Sequence, residues 1–374
     1  MTGGRVAVLS SAQTELRPAW SGAQHIDLIS AVVGAVFKGT GLTLDDVDFI
    51  IDSGSDVLDG RSISNCGFLG AMGAHHKEES RVEEDGLWAA TYGTAKIAAG
   101  GASVGLIIAY SKPSESDVGA FYRSQCEPFY QRPVGFDHDA ASGLQAQRYL
   151  AQHRLRPDDL AQLVAARWSD AAARGRVSVA AAPTAAQVLA SPNAAAPLTR
   201  LMLARPVDGA VAVLLGDAEV ARRAARTPVW ITGTGHAMDT HAFAARQAGT
   251  LQACEAAARA AIARAGWRSV RPSLVEVSAS SAVTELMVLE AAGLAAPGNA
   301  LRLCDRDSPV AVNRSGGALP ADPIMATGLV RLAEAARQLS HPGDYGLPAS
   351  QATALAHGAG GVGMQSHCVM TLEV

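Results

Sequence analysis

The chain has 374 residues, 48% of them hydrophobic, with a net charge of −4. That length exceeds one ordinary core and predicts two packed halves or one large body, and the charge leaves no basic footprint for nucleic acid. Mean hydropathy is +0.12, yet no run approaches the roughly 20 unbroken apolar residues that span a bilayer. Cys66, Cys126, Cys254, Cys304 and Cys368 are scattered and without metal-ligand spacing, which reads as a reduced, cytoplasmic chain with no metal site. Residues 1–5 run into a strand pattern without signal-peptide anatomy.

Short apolar runs alternate with longer helical patterns, the mark of an α/β protein. In chain order the patterns predict a strand at 6–10, a helix at 26–38, a strand at 47–51, a helix at 87–99 and a strand at 104–109. Helices at 143–153 and 158–174 and a strand at 211–215 follow. The remainder predicts strands at 229–232, 274–277 and 368–372 and helices at 252–265, 282–292 and 326–339. The alanines favour helix, and Gly266 and Gly293 suit helix ends. The order strand, helix, glycine, turn, strand occurs near residue 6 and again near residue 229, a coarse internal repeat. The predicted halves are therefore 1–225, with a loop excursion at about 117–203, and 226–374. The stretch 176–197, rich in Ala, Pro and Ser, predicts a loop or lid.

Several short motifs share an order along the whole chain. They are Arg81-Val82-Glu83 before a helix, Ala196-Pro197-Leu198, Pro206-Val207-Asp208-Gly209, Val275-Glu276-Val277, Glu290-Ala291-Ala292-Gly293-Leu294, Asn313-Arg314-Ser315-Gly316-Gly317 and Gly360-Gly361-Val362-Gly363. In that order the chain resembles the thiolase superfamily over essentially its full length, and most of all the bacterial sterol-carrier-protein-2 type. The resemblance implies a thiolase fold with two pseudo-repeated αβαβα-type halves, acyl-coenzyme A chemistry in lipid metabolism, and a homo- or hetero-oligomer. It implies no covalently bound cofactor, with a coenzyme A thioester as substrate or ligand.

The resembling enzymes place a nucleophilic cysteine at a helix N-terminus, where the dipole and free N–H groups lower its pKa. Here that position falls at about Gly86. Glu84 and Asp85 beside it suit a helix cap or, alternatively, a base. The oxyanion-hole histidine position falls at Ser278, either a hydrogen-bond donor or a plain turn serine. The activating histidine is replaced by Asp322, which reads equally as a general base raised by burial or as a cap before a helix. His357 stands near the second cysteine position, at the entrance of a glycine loop. It is either a site residue or a loop histidine bonded to backbone. Gly317, Gly360 and Gly361 are candidates for close approach of a substrate.

With nucleophile and both histidines replaced, covalent catalysis loses the unit it depends on. The first expectation is a thiolase-like subunit without thiolytic activity, pairing with a catalytic thiolase-type chain or an acyl-CoA-binding OB-fold protein. The alternative is a cysteine-independent enzyme acting on acyl-CoA thioesters, by retro-aldol cleavage of a 3-hydroxyacyl-CoA or by acyl transfer, drawing on Asp322, His357, Tyr92 or Tyr345. A third reading uses a displaced cysteine, Cys66 or Cys368. Arg123, Arg132, Arg148, Arg167, Arg174 and Arg176 suit coenzyme A phosphates or an ordinary surface.

Overall fold

The structure, a computed structural model, describes residues 4–224, 227–268, 272–350 and 352–374. The expected boundary between 225 and 226, and the start of the chain at 1–3, lie outside the described residues. Among the described residues ten strands form one sheet. The first five are β1 (Val6–Gln13), β2 (Phe49–Ser53), β3 (Glu78–Val82), β4 (Val104–Ser111) and β5 (Gly209–Asp217). The second five are β6 (Val229–Met238), β7 (Leu274–Val277), β8 (Ala311–Val312), β9 (Thr353–Gly360) and β10 (Ser366–Glu373). The described helices of ten residues or more are α1 (His25–Val36), α2 (Gly86–Ala98), α3 (His138–His153), α4 (Pro157–Arg174), α5 (Gln252–Ala265), α6 (Ala282–Ala291) and α7 (Thr327–Ser340).

The sheet order is β8-β7-β9-β10-β6-β1-β5-β4-β2-β3. Read outward from the centre, each half repeats the same arrangement. The first and fifth strands pair antiparallel, as do the fifth and fourth, while the fourth, second and third run parallel. The halves meet where β1 and β6 pair antiparallel, Val6 opposite Ile231. The internal repeat expected from the sequence is thus a repeat of strand order and direction.

Strand alternation sends successive side chains to opposite faces. Val211, Val213 and Leu215 of β5 join a central core, while Ala210, Ala212 and Leu214 join an outer one. The central core packs α2 and α7 between the two half-sheets, α1 covers the outer face of the first, and α5 and α6 cover that of the second. The five αβαβα layers therefore belong to the whole chain. Each half supplies an outer helix layer, a half-sheet and one central helix. β4 is buried at every position because both its faces are covered.

Three local features differ from the sequence pattern. Residues 353–360 form a strand rather than a loop, because β9 pairs with both β7 and β10 and its glycines are held in the ladder. β3 escapes the apolar-run criterion because it is a polar edge strand, Glu-Glu-Ser-Arg-Val. The stretch 176–197 is mostly loop, as expected, but holds a short helix at Ala185–Ala190 and a strand at Asn193–Ala195 paired with Leu198–Thr199. No helix among the described residues is long and apolar enough to cross a membrane.

Candidate active-site cavity

The N-termini of the two central helices converge because α2 follows β3 and α7 follows the loop after β8. At that point a cavity of about 360 Å³ opens. Its wall includes Glu84, Asp85, Asp322, Tyr122, His138 and Ser278. It carries four carboxylates, Glu83, Glu84, Asp85 and Asp322, and no lysine or arginine among the described residues. A second cavity of about 280 Å³ shares Tyr122, His138, Ser280 and Asp322 with the first and adds Arg200.

Asp85 caps both central helices. One carboxylate oxygen accepts from the Leu87 amide at 2.9 Å and the other from the Gly328 amide at 2.6 Å. Burial pushes its pKa up to about 8, against the pull of the Gly328 and Leu87 amides. Both of its oxygens are therefore committed to the fold. Glu84 accepts from the Ser366 hydroxyl at 3.0 Å, and burial raises its pKa against that bond.

Asp322 is held differently. One oxygen accepts from the Thr327 hydroxyl at 2.5 Å and the Ile324 amide at 3.1 Å. The other has no hydrogen-bond partner among the described residues. Burial raises its pKa to about 6, opposed by those two donors and by Arg331. Ile324, two residues on, has φ +37°. A β-branched residue rarely adopts that value, and such strain clusters at functional sites. Tyr122 stacks on His138 with ring centroids 4.0 Å apart. Burial, and then the nearby Asp322 charge, keep the Tyr122 hydroxyl protonated. Burial lowers the His138 pKa to about 4, and its Nδ1 is buried without a partner among the described residues. His138 is therefore a neutral imidazole at ordinary pH.

The residues singled out from sequence separate into two groups. Asp322, Ser278, Gly360 and Gly361 line the cavity. Ser278 donates its hydroxyl to the His357 carbonyl at 3.0 Å. Gly361 takes φ +74° in the turn after β9. His357 does not line the cavity. It lies on the other face of β9 at 0% exposure, its Nε2 2.9 Å from Nδ1 of His367, and burial and then His367 hold its pKa well below the usual value. Gly317 packs under Asn313 away from the cavity, where a Cβ would come within 2.7 Å of the Asn313 side chain. Gly86, first residue of α2, has no room for a side chain: a Cβ would stand 2.7 Å from both Ala109 Cβ and Leu329 Cβ.

Other candidates lie elsewhere. All five cysteines are free, none lines the cavity, and burial pushes Cys368 up to about 12. Tyr92 is exposed, and Tyr345 donates to Glu334. Arg167 is committed to Glu285 at 2.7 Å and 2% exposure, so it is not offered to a phosphate. Tyr122 and His138 were missed because they come from the excursion at 117–203. Only the tertiary fold brings that segment over Asp322.

The family described as "Thiolase C-terminal domain-like" matches residues 235–373. No curated protein matches the chain. Among solved structures, one described as "Ltp2-ChsH2(DUF35) aldolase" superposes with a TM-score of 0.84 at 20% identity, covering 100% of this chain and 99% of that one. A monomeric SCP2-thiolase like protein type 1 from Mycobacterium smegmatis superposes with a TM-score of 0.73 at 18% identity, covering 98% of this chain and 76% of that one. The protein therefore has the thiolase-like fold, and its residues 235–373 carry the thiolase C-terminal-domain-like sequence signature.

Proposed function

We propose that the chain cleaves a 3-hydroxyacyl thioester of coenzyme A by a retro-aldol route that needs no cysteine. The observation that carries this reading is the wall shared by Asp322, Tyr122 and His138. It offers a carboxylate with one free oxygen, a pKa near 6, and a protonated phenol beside it. A base titrating near the working pH is the useful kind. Asp322 takes the proton of the 3-hydroxyl, the C2–C3 bond breaks, and an aldehyde or ketone leaves. The electron pair passes to the thioester enolate, whose oxygen the Tyr122 hydroxyl is placed to stabilise. The proton on Asp322 then returns to C2, giving the shortened acyl-CoA.

The fold neighbour described as an aldolase, matched over its full length, supports this reading and also its partner requirement. We read the chain as one member of a cytoplasmic hetero-oligomer whose companion is a DUF35-type or OB-fold protein, with coenzyme A thioester as the ligand. The test supplies 3-hydroxyacyl-CoA substrates of several chain lengths to the chain, with and without such a companion, and follows carbonyl release. Carbonyl product that falls at least 100-fold with Asp322→Asn is expected. No product under any pairing would overturn the enzymatic reading and favour a purely architectural subunit.

A further inference from the structure

Behind β9, in the outer core of the second half, three ligating side chains meet. Cys254 comes from α5, His357 from β9 and His367 from β10, and each is 0% exposed. One donor atom from each lies within 4.8 Å of the other two. The hydrogen bonds fix their tautomers. Nε2 of His367 faces the Met364 carbonyl at 2.9 Å, and a carbonyl only accepts, so that nitrogen carries the proton. Its Nδ1 is then a lone pair, which accepts from Nε2–H of His357 at 2.9 Å. Nδ1 of His357 is buried and makes no well-formed hydrogen bond among the described residues, with the Ser278 backbone the acceptor it faces. Buried polar atoms are rarely left so.

We propose that Cys254, His357 and His367 form a buried site for a thiophilic, imidazole-accepting metal ion of the zinc or copper(I) class. Thiolate with two neutral imidazoles selects such ions over magnesium or calcium, which prefer oxygen. The proton between the two rings has a place to go, Nδ1 of His357 facing the Ser278 backbone, so both imidazoles can present lone pairs without any change in charge. The Cys254 thiol loses one proton to solvent as the sulfur–metal bond forms. The Nε2–H bond of His367 to the Met364 carbonyl then holds that ring in place from the second shell. The ion would staple α5 to β9 and β10. Met364, which also lines the cavity, takes φ +54° in the turn joining those strands.

The test exposes the full-length protein to zinc sulfate, desalts it, and measures retained zinc by mass spectrometry and its ligand shell by X-ray absorption. One zinc per chain is expected, with one sulfur at about 2.3 Å and two nitrogens at about 2.0–2.1 Å. A rise in thermal midpoint of about 3 °C is expected at a hundredfold excess over Kd. Cys254→Ser should weaken retention at least tenfold, while Cys66→Ser, which removes the exposed thiol, should leave it unchanged. Failure to retain zinc, a shell without sulfur, or retention lost with Cys66→Ser instead would overturn the assignment. The unmodified protein alone decides the shell, so a poorly folding Cys254 variant does not block the test. None of these readouts depends on carbonyl release.

Discussion

Replacing Asp322 by Asn should stabilise the protein above pH 6 while abolishing the proposed reaction. Asn keeps an oxygen to accept from the Thr327 hydroxyl and the Ile324 amide, so the cap survives. What disappears is the charged form. The Asp322 pKa is raised from 3.8 to about 6 in the fold. A group raised on folding binds more protons in the folded state between those values. Stability is therefore lost as pH rises through the window and stays lowered above it. At ~1.36 kcal/mol per unit the full loss is about 3 kcal/mol, and partial exposure at the cavity reduces it to about 1–3 kcal/mol. The assay is urea denaturation of both proteins from pH 4 to pH 8. Near pH 4 the two should be equally stable, and by pH 7 the variant should lead by that margin. A difference that does not change with pH would refute the burial argument, and with it the reading of Asp322 as a base tuned by its surroundings.

Substitutions at two neighbouring positions probe the point where the central helices converge. Gly86→Cys should not recreate a reactive thiol, because its Cβ alone collides with Ala109 and Leu329. Overpacking of this kind costs about 1–3 kcal/mol, read as a lowered urea midpoint, and a thiol reagent should find no new reactive cysteine in the folded protein. Asp85→Ala should cost about 2–4 kcal/mol, since it strips the acceptors from the Leu87 and Gly328 amides at once. Asp85→Asn should recover only part of that loss, because its NH₂ must face one of two N–H donors. Full recovery by Asn would show that one of the two caps carries no weight.

How much of this was legible in sequence follows from which physical signals are local. The long helices and apolar strands were, because 3.6- and 2-residue periods write burial directly into the chain. The strand–helix–strand repeat around β1 and β6 was as well. β3 and β9 were not: one is a polar edge strand, and the glycines of the other argue for a loop until β7 and β10 are seen to flank it. The replaced positions at Gly86, Ser278 and Asp322 could be named from motif order, but their roles could not. Whether Gly86 has room depends on Ala109 and Leu329, far away in the chain. His357 looked like a pocket residue from its glycine neighbours. A strand alternates faces, and His357 falls on the outer one with Leu355 and Val369. Tyr122, His138 and the trio of Cys254, His357 and His367 carry no local spacing signal at all, since separate elements bring each group together.

The convergence of two helix N-termini ties these observations into one argument about chemistry. Free N–H groups at such a point favour an anion, whether a thiolate or an oxyanion. In this chain the Leu87 and Gly328 amides point at Asp85 and the Ile324 amide points at Asp322. The free N–H groups at the helix starts are thus already occupied by the chain's own carboxyl groups. An incoming oxyanion would find those amides already taken. Any enolate formed in the cavity must be stabilised from the opposite wall by neutral donors, and Tyr122 is the one whose pKa is raised and whose hydroxyl has no hydrogen-bond partner among the described residues. Tyr122→Phe keeps the stack on His138 and removes only that hydroxyl. If this division of labour holds, it should reduce kcat of carbonyl release with little change in KM. Loss of binding instead of turnover would place the oxyanion elsewhere.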